Sequence, residues 1–202
     1  MEKGPLKCKS FKLAFLILVT LFVPGCAAEL QKSNFPVISF AHLEPISLDV
    51  ARVEVENNYV SPETRPFIEH EFPASLAALA MNWASDRLNA VGSSDVLRVM
   101  VRRASVVEVP LPRSGGLEGM FRRDQSERYD AVIELMVEIR DEVGNSRVTV
   151  ETKVSRSQTV AENISLIERD KIWFDMTEVM MSDLNAELEK QIRIYMKKWI
   201  RK

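Results

Sequence analysis

From Ile46 onward the apolar side chains recur at two spacings, every second residue and every third or fourth, and the switch between them outlines strands and helices. Ile46, Leu48 and Val50 alternate with polar neighbours, then Ala51, Val53 and Val55 alternate in the opposite phase. Ile46–Glu56 therefore reads as one strand with a bulge at the phase switch. Asn57–Phe72, with Pro62, Pro66 and several charges, reads as a loop. A helix is expected to open near Pro73, where a missing amide costs little. It would carry Leu76, Leu79, Ala80, Trp83, Leu88 and Val91 on one face, with Gly92 as a left-handed cap. Trp83 on that stripe is expected in the core.

Asp95–Val109 reads as a second strand, with Leu97, Val99 and Val101 on one face and Arg98, Arg102 and Arg103 marking a wet side. Ala131, Ile133, Leu135, Val137 and Ile139 alternate cleanly, as do Val148, Val150, Thr152 and Val154. Gly144-Asn145 lies between the two runs, so they form a β-hairpin. Ser165-Leu-Ile-Glu168 has the spacing of a capping box. Behind it Met176, Met180, Leu184, Leu188, Ile192, Tyr195 and Trp199 follow at helical steps. Lys197, Lys198, Arg201 and Lys202 crowd the end, where the helix dipole is negative. At ~1.5 Å per residue such a helix approaches 50 Å, so its last turns are expected to project beyond the domain. The fold class that satisfies every stripe is α+β. It is a mainly antiparallel four-stranded sheet, β-α-β-β-β-α along the chain, with two helices across one face.

The first 25 residues follow no such period. Lys3, Lys7, Lys9 and Lys12 precede an almost wholly apolar run from Leu13 to Val23. That run is about half the ~20 residues a permanent membrane-crossing helix needs. A basic head, a short apolar middle and small residues behind it describe an export signal. The organisation expected is a signal peptide over 1–25, a tether over 26–45 and a single domain over 46–202.

Val23-Pro24-Gly25-Cys26 resembles the lipobox of bacterial lipoproteins, with Pro24 standing where that pattern has Ala, Ser or Thr. The resemblance implies a lipoprotein precursor in which Cys26 becomes the processed N-terminus and carries three acyl chains. At ~0.8 kcal/mol per buried methylene such an anchor is effectively permanent. Cleavage near Ala27-Ala28 by an ordinary signal peptidase is the competing reading. Ala27 and Ala28, rather than Asp, behind the cysteine imply delivery to the outer membrane, on its periplasmic face.

Composition narrows the function. At 202 residues, 46% hydrophobic and 28% charged, the chain is long enough for a core without disulfide or metal. Of its two cysteines, Cys8 lies in the signal, so no disulfide is available after processing. Residues 1–25 hold four of the 27 basic and one of the 29 acidic residues, so the chain from Cys26 onward carries 23 against 28, a net charge of −5. That balance argues against a nucleic-acid partner.

Catalytic chemistry has little to work with. His42 and His70 are the two histidines, and Glu69-His70-Glu71 lacks a second ligand at metal-binding spacing. No nucleophile elbow, phosphate loop, CxxC or dinucleotide fingerprint occurs. No enzyme activity and no cofactor beyond the covalent lipid are expected; a hydrolase would need Glu69, His70 and another acid to converge. The loop Leu111–Arg123 is more informative. It joins three glycines and the apolar Leu117, Met120 and Phe121 to Arg113, Arg122 and Arg123. Arginine grips phosphate and carboxylate bidentately, and exposed apolar tips are costly in water. Arg113, Phe121, Arg122 and Arg123 are therefore the candidates for touching a lipid headgroup or a partner. The same loop could equally fold its tip back on the domain. The Met-rich terminal helix and its basic, Trp-containing end form a second candidate contact.

A lipobox ahead of one compact α+β domain is similar in layout to the plug lipoprotein of the lipopolysaccharide translocon. It is equally similar to auxiliary lipoproteins of ABC-type or MCE lipid transporters. The resemblance implies a non-enzymatic accessory or assembly subunit with an envelope protein partner. The alternative is a carrier that binds lipid or lipopolysaccharide directly, in an apolar pocket with the loop arginines at its mouth.

Overall fold

The computed structural model of the chain describes residues 35–112, 125–161 and 163–202, within a compact unit that runs from Ser33 to Lys202. In chain order the elements are β1 (Ile46–Leu48), β2 (Arg52–Asn57), a 3-10 turn (Glu69–Glu71), α1 (Leu76–Arg87), β3 (Leu88–Ala90), β4 (Val96–Pro110), β5 (Gln125–Arg140), β6 (Ser146–Ala161) and α2 (Leu166–Tyr195). The fold is α+β with two helices. Its four-stranded sheet has the order β2-β4-β5-β6, and β1 with β3 forms a separate two-stranded parallel pair.

The main sheet is mixed rather than uniformly antiparallel. β4–β5 and β5–β6 are antiparallel, as the hairpin signals require, but β2 runs parallel to β4. The α1 crossover returns the chain to its starting edge in the same direction, which a short hairpin could not do. The phase switch at Val50–Ala51 is not a bulge within one strand. The chain leaves one ladder there and enters another, and the amide of Val50 donates to the carbonyl of Leu48 across 2.8 Å. A bulge does occur in β4, between Val101 and Arg103. It keeps Val101 and Ala104 both in the core, so the sheet face is preserved while Arg102 is set out of register.

The first helix is shorter than its apolar stripe suggests. Ser75 caps it, accepting from the amide of Ala78 at 3.3 Å, and it stops at Arg87. Leu88 is already extended, and Leu88–Ala90 pairs with Ile46–Leu48 as β3. Tertiary pairing has overridden the helical period. Gly92 is consequently not a left-handed helix cap. Its amide bonds the carbonyl of Val50 at 3.0 Å, and a Cβ there would lie 2.6 Å from the backbone carbon of Asp49 and 2.7 Å from the amide nitrogen of Val50. Close backbone approach is what demands glycine.

The hairpin is built as its sequence indicates. Ala131, Ile133, Leu135, Val137 and Ile139 are all buried. At the turn Gly144 has φ +91°, and Asp141 accepts from the amides of Val143 and Asn145 at 3.1 and 2.8 Å. α2 begins with the reciprocal Ser165–Glu168 capping box. Its 30 residues span about 45 Å at ~1.5 Å each. The chain beyond it does not project. Trp199–Arg201 turns back along β1, with Asp49 N to Trp199 O at 2.7 Å and Arg201 N to Ser47 O at 2.9 Å. Trp199 Nε1 donates to Asp95 at 3.1 Å, and Arg201 pairs with Asp49. The unpaired edge of β1 and the apolar Trp199 and Ile200 satisfy each other, which a continued helix would prevent.

Helices and sheet share one buried cluster that includes Trp83, Leu97, Ile133, Val150, Met180, Leu184 and Met196. Trp83 is fully buried, as its stripe requires, and donates to Asn185 at 3.0 Å. Residues 35–45, on the stretch read as a tether, carry contacts to both helices. Phe35 stacks on Phe174 of α2, Phe40 N donates to Asp86 of α1 at 2.8 Å, and the carbonyl of Glu44 accepts from Arg87.

Candidate functional site

Cys26, Arg113, Phe121, Arg122 and Arg123 lie outside the described residues. What the structure positions is the ground on which that loop stands. β4 and β5 are paired to their ends, where Leu111 N bonds the carbonyl of Ser126 at 2.9 Å. Pairing of β5 with β6 runs on to Gln125 and Ala161, which puts the start of α2 at this same end. The strand ends that flank residues 113–124 and the first turns of α2 therefore share one end of the domain, the loop end. The Asp141–Asn145 turn and the last turn of α2 occupy the other.

Aromatic side chains organise this end. Trp173 is 4% exposed and lies parallel to Phe72, ring centres 4.8 Å apart, with Tyr129 edge-on at 5.3 Å. Offset and edge contacts suit the ring quadrupoles. The Tyr129 hydroxyl donates to Glu127 at 2.5 Å, and Arg169 reaches the same carboxylate at 3.5 Å. Burial, and then that hydrogen bond, push the Tyr129 phenol above its ordinary range, so it stays protonated. Among the described residues the buried Nε1 of Trp173 and Nε of Arg169 find no hydrogen-bond partner.

The Glu69-His70-Glu71 run does not assemble a reactive group. Glu69 Oε1 accepts from Tyr59 at 2.6 Å and Ser61 at 2.5 Å, and Oε2 accepts from the amide of Val106 at 3.1 Å. Burial raises its pKa, but the bonds from Ser61, Tyr59 and the backbone outweigh that and hold it below the usual range. This carboxylate fastens the 57–72 loop to β4; a catalytic acid would instead be held above its usual value. His70 is exposed, 3.9 Å from Glu71, and His42 is exposed as well. A cleft of about 250 Å³ beside Glu69 is lined by Asn57, Tyr59, Ser61, Phe72 and Ala104 among others. Among the described residues no group of His, Cys, Asp and Glu is placed to hold a metal ion, and no helix is long and apolar enough to cross a membrane.

Sequence reasoning missed one feature of the loop end. Leu166 and Ile167, in the first turn of α2, are 65% and 57% exposed. Both lie inside the Ser165–Glu168 capping box, and their apolar character was the available signal. The basic C-terminal end, expected to project, is folded onto β1.

No protein-family model matches the chain, and no curated protein does. Among solved structures it is similar to a minor lipoprotein from Acinetobacter baumannii, at 14% identity and TM-score 0.37, over 72% of this chain and 92% of that one. It is also similar to rare lipoprotein B from Shewanella oneidensis, at 10% identity and TM-score 0.36, over 71% and 98% respectively. Likeness at this level leaves the role of the chain to its own residues.

Proposed function

We propose that this chain is a lipoprotein of the bacterial cell envelope, fixed through acylated Cys26 to the periplasmic face of the outer membrane. Its domain would serve as a non-enzymatic accessory subunit, in a system that moves envelope lipid or lipopolysaccharide. The observation that carries the reading is the order of three features: four lysines, the apolar run Leu13–Val23, and Val23-Pro24-Gly25-Cys26 directly behind it. Among the described residues, the buried Glu69 and Arg87 are occupied by structural partners. The loop residues Arg113, Phe121, Arg122 and Arg123 are the proposed contact with the partner or with headgroups.

Labelling cells with a palmitate analogue tests the anchor. The parent chain incorporates it and Cys26→Ser does not; an unlabelled parent chain, or a mature terminus beyond Cys26, overturns the reading. Extraction in mild detergent tests the accessory role, because a chain that leaves its native envelope with no stable partner speaks against it. A second reading, direct binding of a lipid or lipopolysaccharide, draws on the two buried N–H groups of Trp173 and Arg169 at the loop end. Unsatisfied buried donors cost free energy that a phosphate or sugar hydroxyl would recover. Native mass spectrometry that finds no retained lipid removes it.

A further inference from the structure

We infer that the domain lies against the lipid surface through the first turn of α2, with Leu166 and Ile167 in contact with the acyl boundary. The inference rests on acylation of Cys26. Leu166 and Ile167 are adjacent and more than half exposed, and they open α2 at the loop end. Burying such side chains in lipid recovers the hydrophobic free energy that water denies them. The opposite end competes, because Ile194 and Tyr195 of α2 are 57% and 62% exposed there and Val143 of the Asp141–Asn145 turn is 83% exposed.

Chain length decides between the two ends. Phe35, stacked on Phe174 with ring centres 4.7 Å apart, fixes where the chain from Cys26 meets the domain. Nine residue steps separate Cys26 from Phe35, at most ~30 Å when fully extended. Along α2, Phe174 is eight residues from Leu166 and 21 from Tyr195, roughly 12 Å and 32 Å at ~1.5 Å per residue. The near end meets the membrane with slack to spare, whereas the far end needs a wholly taut connection. Ile167 also lies seven residues before Phe174, so the two share a stripe to within about 20° around the helix. The anchored chain and the exposed apolar turn thus emerge on one side of one end.

The test uses the full mature chain, purified with its lipid and reconstituted in phosphatidylethanolamine–phosphatidylglycerol vesicles that carry brominated acyl chains. Ile167→Cys and Ile194→Cys each receive an environment-sensitive maleimide fluorophore; both sites are exposed, so folding is not at risk. The inference expects a blue shift and loss of intensity for the probe at 167, and neither for the probe at 194. Quenching at 194 alone, at both sites or at neither overturns it. So does a blue shift at 167 that bromolipid leaves unquenched, because the chain's own N-terminal segment would then be the cover. Failure of the anchor itself is visible separately. The parent chain takes up no maleimide when the Cys26 sulfur is acylated, and takes it up when that sulfur is free.

Discussion

The guanidinium of Arg87, 2% exposed, donates to the carboxylate of Glu189 across 2.6 Å and so joins the end of α1 to the C-terminal third of α2. Its Nε donates to Asn185 at 3.0 Å, the same oxygen that Trp83 uses, and its remaining arm meets the carbonyl of Glu44. The two partners differ in their access to water, since Glu189 is 30% exposed. Removing the acid strands a buried cation; removing the cation leaves an acid that water and Arg193 can satisfy. Glu189→Ala should therefore cost about 2–3 kcal/mol, and Arg87→Met, which keeps the volume, about 1 kcal/mol less. Urea midpoints of the two variants check this, and the reverse order would show that the pair is not the determinant.

Gly92 makes a sharper test of the split between β1 and β2. An alanine Cβ would sit 2.2 Å from Asp49 Oδ1, which can swing away, but also under 3 Å from the backbone of Asp49 and Val50, which cannot. Gly92→Ala should cost about 1–3 kcal/mol, as overpacking against fixed atoms does. Were Gly92 a helix cap instead, Asn would be a mild replacement. Thermal melts in which Gly92→Asn matches the parent would contradict the close approach.

How much of this was legible in the sequence depends on the range of the interactions involved. The β5–β6 hairpin and the Ser165–Glu168 cap are local, and their residues announce them. The β1–β3 pair is not local. Leu88 continues the apolar stripe of α1 well enough to pass for helix, and only the distant Ile46–Leu48 edge pulls it into a strand. The return of Trp199 onto Asp49 spans most of the chain, and a basic, Trp-containing end carries no sign of which edge it will cover. At the site, residues 113–124 declare themselves by composition alone. Leu166 and Ile167 declare themselves only through their exposure in the folded domain.

Glu69 predicts an acid sensitivity. Its carboxyl titrates below the ordinary value of 4.5 in the folded chain, because Ser61, Tyr59 and Val106 donate to the charged form. A group with a lowered folded pKa contributes stability that is complete above the unfolded value and is lost as pH falls through the folded one. Glu69→Gln keeps the size but turns a donor toward donors, at about 1–3 kcal/mol near neutrality. The gap between parent and variant should narrow as pH drops below 4.5, read from urea midpoints at successive pH values. A gap that stays constant down to the acid limit would remove Glu69 as its source.

The C-terminal return along β1 separates two kinds of contact by size. Arg201 and Asp49 pair where both are 40% exposed or more, and an exposed pair contributes ~0–1 kcal/mol. Trp199 packs on the core, and its indole donates to Asp95, which holds a left-handed φ of 61° at the head of β4. Arg201→Ala should accordingly leave stability almost unchanged, while Trp199→Ala should cost about 2–3 kcal/mol, below the value for a fully buried tryptophan. The amide of Asp49, bonded to Trp199 O, reports the same element without global unfolding. Its hydrogen exchange should accelerate in Trp199→Ala by more than that of Val137, in the centre of the sheet, which rises only with the loss of global stability. An Asp49 amide as protected in the variant as in the parent would mean that β1 holds its edge without the tail.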